Sequence, residues 1–404
     1  MQNKRMVITG LGVISPSGIG KSEFFSNILS GKSGIKPITL FQVAGLRSSL
    51  AGEIYDFDAK EILGDVGLVD LDRANLFLSS AGKLALDDAK LTINGYNTNR
   101  IGVSVGSAFG NLHSISRFDR ESLVEGAQYV NPSIFPNTVG NSVASRLNIR
   151  FGIKGFSSSL STGISSALDA LNYGCDFVKL DKADIVLVGG VESLSEELFL
   201  GFNKLNYLAS NGLNSKEMTC PFDKRRNGII LSEGAAVLVL ENLSSAKERK
   251  ADIYAEIIEI GSCFGRGEGI AEAMQLALTN SGFNPNKIDC IFANANSTKN
   301  ADIAETLAIK KVFGEAAYKI PITAIKSMLG ESLGASGAFS LSAAIGALRN
   351  DLIPPTINYQ EKDETCDLDY CLNEARNKKL SNIMVNSFDP RGTSTSVIIR
   401  KFVN

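Results

Sequence analysis

The order in which short strands and helical segments recur constrains this chain more than any single motif does. Apolar, β-rich runs such as MVITGLGV, IGVSVGSAFG and ADIVLVGG alternate with stretches of helical period, the pattern of a layered α/β fold. In the first half a strand at 6–13 is followed by a strand at 101–107, a strand-turn-helix at 155–178 and a strand at 184–193 ending GGVES. The second half repeats this order with a strand at 254–261, one at 288–298 ending NANST, a strand-turn-helix at 322–348 and a strand at 382–391 ending NSFDPR. Two such halves, 1–245 and 246–404, imply an internal duplication with pseudo-two-fold symmetry, joined near 240–253 by the polar stretch ENLSSAKERKAD. They are expected to form one compact unit whose functional groups gather where strand ends from both halves converge. After residue 160, Ile164, Ala167, Leu168, Leu171 and Cys175 fall at helical spacing and describe one buried stripe. The counterpart GASGAFSLSAAIGAL is almost wholly small or apolar and belongs deep between layers.

A formal net charge of −2 over 404 residues provides no basic footprint, which argues against nucleic acid and anionic membrane as partners. No apolar run reaches the roughly 18–20 residues that span a bilayer, and the N-terminus becomes Gly-punctuated too early for a signal peptide, so a cytoplasmic location is expected. Six scattered cysteines without CxxC spacing read as free buried thiols. The single histidine, His113, excludes any mechanism needing two imidazoles from this chain, and a His-rich metal site with it.

The stretch SSSLSTG, residues 157–163, has the form of a strand turning sharply into a helix, where enzymes often expose a nucleophile, yet its apex is Leu160. Around it, MVITGLGVISPSGIGKSEFFSNILSGKSGI, PFDKRRNGIILSEGAAVLVLE (221–241) and AIKSMLGESLGASGA (324–338) together resemble the β-ketoacyl-acyl-carrier-protein synthases over nearly the full chain. The resemblance implies a thiolase-like α/β fold of five layers, α-β-α-β-α, with internal duplication. Active members carry a Cys-His-His set, in which a thiolate takes up the acyl chain and two imidazoles support decarboxylation of the extender.

Carried over motif by motif, that set is missing. The family's T-A-C-T-S-G is Ser158-Ser159-Leu160-Ser161-Thr162-Gly163, with Leu160 at the cysteine. N-A-H-G-T-S-T is Asn294-Ala295-Asn296-Ser297-Thr298, with Asn296 at the first histidine and a loop two residues shorter. S-M-T-G-H is Ser327-Met328-Leu329-Gly330-Glu331, and the mobile gate G-F-G-G-T-N is Asp389-Pro390-Arg391-Gly392-Thr393-Ser394. Pro390 has no N–H with which to reproduce a gate donor. Lys326, Asp302 and Glu305, which the family uses to order loops around its site, remain.

This pattern resembles the chain length factors of bacterial type II polyketide synthases. The resemblance implies a non-catalytic subunit that needs no cofactor, pairs with a ketosynthase α subunit, and shapes an interface tunnel for a chain tethered to acyl carrier protein. By position, the tunnel-lining candidates are Phe109, Leu112, His113 and Phe118, then Ile134 and Phe135, then Leu194 and Phe202, with Phe109 the foremost plug. The resemblance points to an aromatic, anthraquinone-like product, with an aryl polyene as the alternative. Two other readings stay open: a residual enzyme using Ser159 or Ser161 as nucleophile and Glu331 as base, and a homodimeric, non-catalytic acyl-binding module. An obligate pairing would leave an apolar face around 106–118 and 134–160 on the isolated chain.

Overall fold

Strand β1 (Met6–Ser15) is buried along its whole length, and its glycines admit a helix at close range. A Cβ on Gly12 would sit 1.9 Å from the Ala81 carbonyl oxygen, and one on Gly10 2.4 Å from that of Ala85. Both contacts belong to α1 (Arg73–Asp88), which is capped by the Asp72 carboxylate accepting the Asn75 N–H. The computed structural model describes residues 4–212, 215–265 and 267–403.

The first half continues with β2 (Ile101–Gly106), α2 (Leu112–Glu125), α3 (Ser142–Phe151), β3 (Ser157–Leu160), α4 (Ser166–Lys179), β4 (Ile185–Glu192), α5 (Glu196–Lys204) and β5 (Gly234–Asn242). The second contains β6 (Ala255–Phe264), α6 (Gly269–Ser281), β7 (Cys290–Phe292), α7 (Lys299–Phe313), β8 (Ile322–Thr323), α8 (Ser336–Asn350), β9 (Asn382–Phe388) and β10 (Thr393–Lys401). In the first half the strands lie side by side as β1-β5-β4-β2-β3, and in the second as β6-β10-β9-β7-β8. Pair by pair, the parallel and antiparallel senses are the same in the two halves. The duplication read from the sequence is therefore present in the topology. A short antiparallel pairing of Met6–Ile8 with Ala255–Ile257 joins the two five-stranded sheets.

Three hydrophobic clusters produce the five layers. One packs α1 and α3 on the outer face of the first sheet, and another packs α6 and α7 on the outer face of the second. The largest lies between the sheets around α4 and α8. Every residue of α8 from Ser336 to Leu348 is buried, as its small, apolar composition requires. The expected stripe is buried, from Ile164 in the turn before α4 to Cys175, but so are Ser166, Ala170 and Gly174 beside it. A helix between two sheets is covered on two faces, whereas a single-stripe reading assumes one.

Two expected strands are shorter. β7 stops at Phe292 because the N–H groups of Asn294, Ala295 and Asn296 donate to the carboxylates of Glu305 and Asp302. β9 stops at Phe388 because Asp389 to Gly392 forms the turn of a hairpin with β10. The outer sheet edges also differ. Beyond β8, Ile322 exchanges backbone hydrogen bonds with the Asp369–Cys371 segment, while β3 pairs only with β2 among the described residues. Among those residues no helix is long and apolar enough to cross a membrane.

Candidate functional site

β3 carries Leu160 to the turn, and one 3-10 turn, Gly163–Ser165, leads into α4. Gly163 has φ +73°, in the left-handed region that disfavours a side chain. A Cβ there would also fall 1.9 Å from Oδ2 of Asp389 on the hairpin opposite. That oxygen accepts the Ile164 N–H at 3.1 Å. Arg391 donates to the same carboxylate from Nε at 2.7 Å and from Nη2 at 3.0 Å. Burial works against ionisation of Asp389, yet these donors together hold its pKa below the ordinary carboxylate value. The hairpin carrying Pro390 is thus tied to the elbow through a side chain that the family's gate lacks.

Asn296 and Glu331, at the two histidine positions, form one buried polar cluster with the retained Lys326. The Lys326 ammonium donates to Glu331 Oε2 at 2.9 Å and to Asn294 Oδ1 at 2.8 Å, and Asn296 Nδ2 donates to Glu331 Oε2 at 3.3 Å. Glu331 Oε1 accepts the Leu333 N–H at 3.0 Å and the Ser336 hydroxyl at 2.6 Å. Each carboxylate oxygen thus has two donors, one set holding the Lys326 side and the other the start of α8. Glu331 has no link to a serine at the elbow. Ser161 donates to the Ala108 carbonyl, and Ser159 Oγ is buried without a partner among the described residues. The pairing of either serine with Glu331 as base is therefore not assembled, because every Glu331 acceptor is already engaged.

Glu305 and Asp302 order the loop that carries Asn296. Glu305 accepts the Asn294 and Ala295 N–H groups and the Asn386 amide, and burial raises its pKa to about 7. Asp302 accepts the Asn296 and Phe222 N–H groups and faces the buried Arg226, with burial raising its pKa to about 6.

The tunnel candidates separate. Only Phe109 shares with Leu160 a cavity of about 280 Å³, also lined by Ser107, Asn111, Ile115, Thr138 and Ser159. Phe202 packs edge-on against Phe109 at 6.0 Å. Leu194 lies in a core cluster with Leu198 and Phe199, and both Leu112 and Phe202 pack against that cluster. Phe118 and Phe135 face each other at 5.7 Å, while Ile134 lines a separate cleft of about 90 Å³ beside Val69. His113 points outward, 3.3 Å from Glu197. Apolar side chains are exposed at Phe109, Ile115, Phe135, Val139 and Ile149, within the segments expected to form a face.

Glu192, the acid that ends β4, was visible in GGVES but not assigned. It accepts the N–H groups of Ala108, Phe109 and Gly334, and so ties the Phe109 turn to the segment that leads into α8. Burial raises its pKa to about 7.

Models of the β-ketoacyl synthase N-terminal and C-terminal domains match residues 3–246 and 256–360. The chain belongs to the β-ketoacyl synthase family. It is 35% identical to 3-oxoacyl-[acyl-carrier-protein] synthase 2 of Coxiella burnetii, over 99% of each chain. It is also 35% identical to the tetracenomycin polyketide synthase ketoacyl synthase alpha subunit of Streptomyces glaucescens, over 94% of this chain and 93% of that one. The ishigamide ketosynthase/chain length factor superposes with TM-score 0.93 at 31% identity, covering 99% of this chain and 100% of that one. A type II polyketide synthase acyl carrier protein in complex with its ketosynthase, bound to the hexaketide, gives 0.91 at 30% identity, with the same coverage. The five-layer architecture is the thiolase-like ketosynthase fold.

Proposed function

We propose that this chain is the non-catalytic, chain length factor subunit of a type II polyketide ketosynthase. It pairs with a catalytic α subunit in the cytoplasm and shapes the interface tunnel that receives a growing chain tethered to acyl carrier protein. The observation that carries this reading is the replacement of the reaction centre on an intact scaffold. Leu160 has no group able to attack a thioester, and Asn296 and a Lys326-paired Glu331 fill the histidine positions. An extender carboxylate would meet Glu331 where an active member presents an imidazole.

Three further features support the reading. The edge of β3 is open to pairing with a partner strand, whereas that of β8 is covered. Apolar side chains are exposed at Phe109, Ile115, Phe135, Val139 and Ile149, in the segments that precede β3 in the chain. Two of the similar structures are a ketosynthase/chain length factor and a carrier protein–ketosynthase complex. In this reading the halves 1–245 and 246–404 act as one unit, Phe109 is the foremost wall of the tunnel, and Phe202 backs it. The product is an aromatic polyketide, with an aryl polyene as the competing class.

Coexpression with a Cys-His-His ketosynthase and carrier protein from the same gene neighbourhood tests this. A one-to-one complex that builds a carrier-bound chain of defined mass is expected. A stable homodimer that condenses malonyl units unaided would overturn the proposal.

A further inference from the structure

Away from Leu160, a cleft of about 480 Å³ opens between α1, α3 and the segment 63–71. Val66, Ile149 and Phe151 are among its apolar walls, and the charged side chains that line it, Lys83, Arg146 and Arg150, are all cationic. In a chain of formal net charge −2 this is a local excess of one sign. Lys83 is paired with Asp87 one turn along α1. The two arginines, both partly exposed, have no carboxylate partner among the described residues. Arg146 Nη2 donates to Asn137 Oδ1 at 3.3 Å, and Arg150 donates to the carbonyls of Val66 at 3.3 Å and Leu63 at 2.7 Å, so each guanidinium keeps N–H groups unused. They sit four residues apart on one face of α3, where like charges repel. Burial lowers the pKa of Arg150 with no acid to offset it. Gly67 leaves that guanidinium uncovered: its φ is +73°, and a Cβ there would lie 3.9 Å from Arg150 Nη1. Beside these cations, Val66 and Ile149 are 85% and 73% exposed.

We infer that the cleft between α1 and α3 is a binding site for a fatty-acid-like anion, a carboxylate carried on a hydrocarbon tail. The carboxylate meets the free N–H groups of Arg146 and Arg150, whose planar forks match its two oxygens. The tail lies along Val66, Ile149 and Phe151 and takes their apolar surface out of water. Both halves of such a ligand are needed, since inorganic phosphate would answer the cations and leave the apolar wall wet, while a neutral chain would do the reverse. The volume falls in the range of small-molecule sites, roughly 300–1,000 Å³. None of these residues belongs to the former reaction centre or lines the cavity at Phe109, so the site stands independently of the subunit reading.

Calorimetric titration of the full chain with decanoate, decanol and decyltrimethylammonium tests this. Decanoate is expected to bind about tenfold more tightly than decanol, the scale of a charge-assisted pair at a partly exposed site, and the cationic chain not to compete with it. The decanoate preference is expected to fall as salt is raised, because the site is open to screening. Arg146→Gln is expected to cut that preference to about threefold without weakening decanol, and Arg146→Lys, which restores the charge, to recover most of it. Ile149→Asp places a carboxylate at an exposed position in the cleft and is expected to abolish decanoate binding in a folded chain. Equal affinities for decanoate and decanol, or decanoate binding that survives both Arg146→Gln and Ile149→Asp unchanged, would overturn the site. Absence of decanoate binding, joined to weaker carrier-protein affinity in Arg146→Gln, would overturn it in favour of a protein partner. Each of these outcomes leaves the subunit reading untouched, since that reading is tested by assembly with the ketosynthase.

Discussion

Glu331→Gln separates a structural ion pair from a residual catalytic base. Lys326 and Glu331 have side chains 4% and 1% exposed, and their contact is 2.9 Å. Removing one partner of such a pair costs about 3–5 kcal/mol, because the remaining charge is left buried. Glutamine keeps an acceptor for the Leu333 N–H and the Ser336 hydroxyl, so the loss falls on the Lys326 side, where Asn294 Oδ1 remains. That places the expected cost at the lower end, about 3 kcal/mol. Lys326→Met should cost a similar amount by leaving Glu331 charged with Asn296, Leu333 and Ser336 as its only donors. In Lys326→Met/Glu331→Gln no buried charge is left alone, so the double variant should recover about 2 kcal/mol or more relative to the sum of the singles. Urea unfolding followed by circular dichroism suits a chain without tryptophan. Singles within about 0.5 kcal/mol of the parent, or strictly additive losses, would refute the reasoning.

Other consequences are measurable in the same chain. Leu160→Cys should react with a thiol reagent yet remain inactive in condensation, because no imidazole accompanies it; turnover by that variant would show that Asn296 and Glu331 can replace histidine. Phe109→Ala should leave heterodimer assembly intact and lengthen the carrier-bound product measured by mass, and an unchanged mass would remove Phe109 as the wall. Asp389→Ala should speed amide exchange at Ile164 and through 389–393, since it removes the acceptor tying the hairpin to the elbow; unchanged exchange would mean that the hairpin is held elsewhere. Glu192, Glu305 and Asp302 have folded pKa values raised by burial to about 7, 7 and 6, above those of the unfolded chain, so the folded state binds the extra protons. Their contribution favours folding below the unfolded carboxylate range and is lost as pH rises through the folded values. The urea midpoint should therefore fall between pH 5 and about 7 and then flatten, and a midpoint rising through that window would contradict the burial argument.

The strand-helix order was legible because each repeated unit is bounded by its own apolar run, and β1, β2, β4 and β9 appear where those runs lie. The fifth strand of each half, β5 and β10, was not assigned in the repeat, although AAVLVLEN and TSVIIRK carry the β-branched enrichment that marks it. The truncation of β7 could not be read from local pattern, because it depends on carboxylates of Asp302 and Glu305 farther along the chain. At the site, positions within motifs were legible: Leu160, Asn296, Glu331 and Lys326 follow from motif spacing, and the last three meet in one cluster. Contacts between motifs were not. That Glu331 joins Lys326 to the start of α8, that Asp389 reaches the Ile164 N–H, and that Glu192 holds the Phe109 turn all require distant segments to meet. The tunnel candidates were the least legible, since Phe109, Phe118, Phe135 and Leu194 are all large apolar residues in sequence and only the fold separates cavity wall, surface pair and core.

The central claim is that this chain supplies shape and a partner supplies reactivity. Incubating the purified chain, free of any homologue, with acyl and malonyl carrier protein and reading both protein and carrier by intact mass tests it directly. The account predicts no acyl adduct on the chain and no condensed product, with product appearing only once a Cys-His-His partner is added. A covalent acyl adduct or a lengthened carrier-bound chain in the partner's absence would contradict it.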